Sequence, residues 1–205
     1  MKHRATVPAL CILLISFQLG GAGRRAVPQG YQPQVGDLIF QSLPHDPLTD
    51  TIEGSTKSPF SHVGIVVQDD GHLAVLEAFG PVMITELGTY LGRGREGGYA
   101  AYRFQPRYTG RVDAIIAAAK AHLGKPYDRL HDFGDEAIYS SELIYKAFQS
   151  ATGEELGVVR AVSELDWQPY EAVIKWGGIP LDRRMITPKD LSEAKQLRPV
   201  HRQGI

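Results

Sequence analysis

The chain has a single cysteine among its 205 residues, at position 11. Cys11 lies within "ATVPALCILLISFQLGGAG", which carries no charge and follows Lys2, His3 and Arg4. Basic residues, a short apolar core and a small-residue end describe a secretory signal peptide over residues 1–23. Gly20 and Ala22 fit its small-x-small cleavage site. An uncleaved N-terminal anchor is the alternative, because the run approaches the ~18 residues that a span requires. "PALC" does not fit lipoprotein processing, since Cys11 comes too early. Either way the protein is expected to be exported (periplasmic or extracellular). If the segment is cleaved, the mature chain has no thiol, which excludes disulfides, cysteine-ligated metals and a cysteine nucleophile.

Other absences narrow the reading further. No basic block or basic–aromatic stripe appears and the net charge is -1, so no nucleic-acid partner is expected. The histidines, at 3, 45, 62, 72, 122, 131 and 201, show no close ligand spacing. No metal and no cofactor is therefore expected. The lack of a GxSxG elbow argues against an α/β-hydrolase.

What is present reads as one globular domain. After a Pro/Gln/Gly-rich lead-in at 24–35, residues 36–200 hold β-branched and aromatic segments in their first half. "DLIFQ", "HVGIVVQ", "LAVLEAF", "VMITEL" and "YAAYRF" predict about five strands between 37 and 104. Their short connections predict an antiparallel meander. Residues 42–60, with three prolines, predict a long irregular loop and a candidate pocket rim, with Lys57 and Phe60 near its end.

The second half changes period. Val112, Ile115, Ile116, Ala119 and Leu123 recur at helical spacing, with Gly124 and Pro126 beyond. Leu143, Ile144, Ala147 and Phe148 form a second stripe, ending near Gly153. Thr187-Pro188 opens a last short helix. Strands first and helices second give the α+β class.

Three positions stand out chemically. His62 opens an apolar strand and shares a face with Gly64 and Val66, where Gly64 would leave open space beside the ring. Glu77 lies midway along another apolar strand, where a carboxylate must be paired with a histidine or an arginine. Ser140 and Ser141 stand at a helix start, where serine serves as a cap but where N–H groups also stabilise developing charge.

In order, "VGDLIFQ", "SPFSHVGIVV", "VLEAFGPVMITEL", "GKPYD" and "IYSSELIYKAF" resemble the YiiX/YaeF-like permuted papain-like amidases of the NlpC superfamily. The resemblance runs from about residue 33 to "ITPKDL" near 191. It implies a permuted papain-like fold with the nucleophile at a helix N-terminus. It also implies catalytic roles for His62 and Glu77, and puts Ser140 where the family's "YCSEL" motif has cysteine. Tyr139, Ser61 and Tyr127 become candidate substrate contacts. The expected substrate is a small molecule, a peptide or a lipid-like compound near membrane or cell wall, cleaved at an amide or ester. A disabled binding protein is the alternative, because a serine hydroxyl needs a true general base where a thiol ionises easily.

Overall fold

Residues 30–205 are described in the computed structural model, so the signal or anchor expected over 1–23 lies outside the described residues. The apolar segments of the first half form β1 (Leu38–Gln41), β2 (His62–Asp69), β3 (His72–Ala78), β4 (Val82–Glu86) and β5 (Tyr99–Phe104). Helix α1 (Pro47–Thr56) links β1 to β2, and α2 (Leu87–Arg93) follows β4. The second half holds α3 (Val112–Lys120), α4 (Ser140–Thr152), β6 (Arg160–Ala161), α5 (Glu171–Trp176), β7 (Arg184–Met185), α6 (Pro188–Ser192) and β8 (Leu197–Gln203).

Six strands pair antiparallel in the order β4-β3-β2-β1-β5-β8, while β6 and β7 form a separate ribbon. The five expected strands are all present, but the sheet is not a simple meander: β1 lies between β2 and β5. The chain tail adds β8, which the sequence reading omitted. Its Pro199 and its arginines at 198 and 202 hide any apolar alternation. A proline and exposed charges are tolerated there because β8 is an edge strand.

Residues 42–60 are not irregular throughout. Asp46 caps α1 by accepting from the Thr49 amide at 2.8 Å, and Pro47 occupies the first turn, where a missing N–H costs nothing. The chain leaves α1 at Lys57, whose φ of 54° reverses its course. Phe60 turns into the core rather than to a rim, and Lys57 pairs with Asp166 at 3.0 Å.

Alternation divides the sheet. Leu38, Phe40, Val63, Ile65 and Leu76 face the main core, which α3 and α4 complete with Ile115, Leu143, Ile144 and Phe148. Ile39, Val66 and Val75 face a smaller core with Tyr90 and Leu91 of α2. In α3, Ile115, Ile116 and Ala119 are buried, whereas Leu123 lies past the helix end and is 45% exposed. The second helix and the Thr187-Pro188 start form as expected, α4 closing at Gly153 with φ 74°. Among the described residues, no helix is long and apolar enough to cross a membrane.

Candidate active site

Two neighbouring strands bring His62 and Glu77 together. His62 opens β2 and Glu77 lies near the end of β3, both pointing to the α2 side of the sheet. His62 Nε2 is 2.6 Å from Glu77 Oε2, and both side chains are buried. Glu77 needs more than one partner to be stable there, and it has three. Thr85 of β4 donates to Oε1 at 2.5 Å, and one nitrogen of Arg93 bridges both oxygens at 2.6 Å. Arg93 ends α2 and its guanidinium lies 3.7 Å from the Phe79 ring centroid. Burial alone would raise the Glu77 carboxyl. The bonds from His62, Arg93 and Thr85 outweigh it and hold the group below the ordinary glutamate range.

Both partners that sequence chemistry allowed Glu77, a histidine and an arginine, are thus in contact with it. Sequence reasoning did not single out Arg93 or Thr85. Gly64 differs from expectation too: there is no open space beside it. An added Cβ would stand 2.4 Å from Val75 Cγ1 and 3.2 Å from the Tyr90 ring. Glycine there lets Tyr90 close over the strand and donate to the Ile39 carbonyl at 2.7 Å.

Ser140 and Ser141 are the first residues of α4, and neither is its cap; Tyr139 is. The Tyr139 amide donates to Glu142 Oε2 at 3.2 Å, closing the helix start. The two serines then part company. Ser141 Oγ donates to the Ile186 carbonyl at 2.8 Å, while the Tyr139 hydroxyl accepts from the Ile186 amide at 3.0 Å. Together they clamp the strand-like segment before α6 onto α4. Both serines line a cleft, and Ser141 is the one tied to Ile186.

That cleft has Tyr139, Ser61 and Tyr127 in its wall, so all three candidate contacts border the same space as Ser140. Ser61 is already engaged: its hydroxyl donates to Glu53 Oε1 at 2.9 Å and accepts from the Leu43 amide at 2.9 Å. The expected rim at 42–60 contributes through α1, with Leu48, Thr51, Ile52, Ser55 and Thr56. His131, which no motif singled out, also lines the cleft. His62 is the residue after Ser61, at the end of the sheet against which α4 packs. Among the described residues, no hydrogen bond joins Ser140 Oγ to His62, whose ring is held from the α2 side.

A strand-borne histidine held by a buried acid, beside a helix whose first residue borders a cleft, is the architecture of papain-like hydrolases in permuted order. Comparison with known proteins agrees. Residues 32–201 match the sequence model of the permuted papain-like amidase enzymes, YaeF/YiiX, C92 family. The uncharacterized protein YiiX of Escherichia coli (strain K12) is 30% identical over 206 residues, spanning 98% of this chain and 96% of that protein. The crystal structure titled "metalloprotein yiiX", from Escherichia coli O157:H7, is similar with a TM-score of 0.79 at 32% identity. It covers 84% of this chain and 99% of its own. The chain belongs to the permuted papain-like amidase family. The metal in that title finds no matching donor set here: among the described residues, no three His, Cys, Asp or Glu side chains come together to hold an ion.

Proposed function

We propose that the protein is an exported hydrolase of amide or ester bonds, with Ser140 as nucleophile, His62 as general base and Glu77 orienting His62. The observation that carries this reading is the buried 2.6 Å pair between His62 Nε2 and Glu77, one residue from the cleft that Ser140 lines. The pairing fixes Nε2 and leaves Nδ1 as the nitrogen for proton transfer. Ser140 Oγ attacks the carbonyl carbon while His62 takes the hydroxyl proton. That proton passes to the leaving amine or alcohol, and an ester remains on Ser140. Water, deprotonated by His62, then attacks the ester and releases the carboxylic acid. The N–H groups at the start of α4 receive the oxyanion in both steps. Substrates are cell-wall peptides or lipid-derived compounds, met outside the cytoplasm on the strength of the N-terminal pattern.

A second reading, binding without turnover, is favoured by the missing hydrogen bond between Ser140 and His62. A pocket shaped for sulfur holds oxygen short of the carbonyl, and a misplacement of about 1 Å costs on the order of 100-fold. A serine-directed fluorophosphonate probe separates the two. Labelling of the wild type that disappears in Ser140→Ala supports the hydrolase. An unlabelled wild type, with turnover gained only in Ser140→Cys, assigns the protein to binding.

A further inference from the structure

His62 is the first residue of β2, and its register partner Gln41 is the last of β1. Sheet pairing therefore ends at the residue that the proposed reading makes the base. Glu77 holds the ring at Nε2, but a ring tethered at one atom still swings if its strand end frays. The backbone just before it must be held as well. The Ser61 amide donates to the Gln41 carbonyl at 2.9 Å, and beyond that bond side chains take over.

One carboxylate gathers the three segments that meet there. Glu53 of α1 accepts at Oε1 from the Ser42 hydroxyl at 2.7 Å and from the Ser61 hydroxyl at 2.9 Å. Ser61 Oγ in turn accepts from the Leu43 amide at 2.9 Å. Arg95, just past α2, donates to Glu53 Oε2 at 2.9 Å and twice to the Leu43 carbonyl, at 2.8 and 3.1 Å. Its amide closes the set on the Ser42 carbonyl at 2.6 Å. The exit of β1, the entrance of β2 and α1 are thus joined at Glu53, and Arg95 stands two residues from the Arg93 that holds Glu77.

The Glu53 side chain is only 13% exposed, and an ion pair so placed adds little net stability over an apolar contact. What a hydrogen-bonded carboxylate does supply is direction, because it fixes where each donor stands. One donor fixed here belongs to the residue before His62. The single hydrogen of the Ser61 hydroxyl is spent on Glu53, so none is left for a substrate.

We infer that Glu53 is a positioning residue for His62, acting through Ser61. Glu77 fixes the ring, and Glu53 fixes the strand end that carries it, so that Nδ1 stays turned toward the start of α4. Ser61 is then a positioning residue too, and not a substrate contact. The inference rests on the proposed role of His62 as base.

The test uses the full chain carrying Ser140→Cys. Chloroacetamide alkylation at position 140 is followed against pH by peptide mass spectrometry, which separates it from Cys11. An imidazole in place keeps a thiolate standing well below the ordinary thiol midpoint of about 8.5. Adding His62→Ala defines the profile without that imidazole. Glu53→Ala and Ser61→Ala move the profile most of the way to this limit and slow alkylation at pH 7 roughly 10-fold or more. Ser61→Thr, which keeps the hydroxyl, restores it. Asp46→Ala, which only uncaps α1, lowers the urea midpoint and leaves the profile in place. A Glu53→Ala variant that behaves like Asp46→Ala, destabilised with an unmoved profile, overturns the inference. If His62→Ala itself leaves the profile unmoved, the proposed base is wrong, and the positioning is read from nitrogen-15 spectra of the histidine-labelled chain with Ser140 intact. There, a His62 Nε2 signal that changes in Glu53→Ala but not in Asp46→Ala upholds the positioning, and one that changes in neither overturns it.

Discussion

The two sides of the sheet handle polarity in opposite ways. On the α2 side, a buried histidine, glutamate and threonine meet a partly exposed arginine, and each oxygen of Glu77 is satisfied. On the α4 side, Ser140 borders a slot lined without Asp, Glu, Lys or Arg, and His131 Nδ1, with no hydrogen-bond partner among the described residues, stands in its wall. The first arrangement is closed, so removing Arg93 strips the buried Glu77 of its cationic partner and removing Glu77 leaves Arg93 without a counter-charge. The second is apolar, and its Ser61, Ser141 and Tyr139 hydroxyls are each tied to the protein itself.

The largest expected effect tests that contrast directly. Glu77→Gln leaves Arg93 without its counter-charge and should cost about 3–5 kcal/mol in urea unfolding. Ser140→Ala removes a hydroxyl with no hydrogen bond to His62 and should change stability by less than about 0.5 kcal/mol. Similar losses for the two variants would break the comparison.

A smaller effect probes how tightly the α2 side is packed. Gly64→Ala would place a Cβ 2.4 Å from Val75 Cγ1, a stiff β-branched neighbour that cannot swing aside. The expected cost is about 1–3 kcal/mol, read from the denaturation midpoint. An unchanged midpoint would mean that Tyr90 and Val75 are loosely held.

The smallest effect is a pH slope, and its sign differs between the faces. Glu142 of α4 is raised to about 7 by burial, against the 2.9 Å ion pair from Lys146. A carboxyl raised on folding binds more protons folded than unfolded, so stability falls as pH rises from about 4.5 to about 7. The slope is at most about 1.4 kcal/mol per pH unit, and Glu142→Gln should flatten it. Glu77 is lowered, so its contribution is present above the ordinary glutamate range and disappears as pH drops below it. Unfolding curves of Glu142→Gln and wild type between pH 4 and 8 check the sign. A wild-type stability that rises across the window would refute it.

Much of the fold was legible because its signals are local. β-Branched and aromatic content marked β1 to β5, and the stripe from Leu143 to Phe148 with Gly153 marked α4. Helix α1 was hidden by its threonines, Pro47 and Gly54, poor helix formers that succeed here through the Asp46 cap and contact with α5. Strand β8 was hidden because an edge strand tolerates proline and charge. For the site, a lone carboxylate in an apolar strand announced that Glu77 needed partners. Nothing announced Arg93, since it reaches Glu77 only after α2 folds back across β3.

By itself, then, the sequence determined the strands β1 to β5, the helices α3, α4 and α6, the family and the residue types at the centre of the chemistry. Each of these is recorded by neighbours along the chain or by motifs with fixed spacing. The tertiary structure alone decided that, of two adjacent serines lining one cleft, Ser141 is tied to the Ile186 carbonyl. It also decided that α1 and α5 enclose an apolar slot. Such outcomes depend on which surfaces meet when distant segments pack, and the pattern within any one segment does not encode its partner.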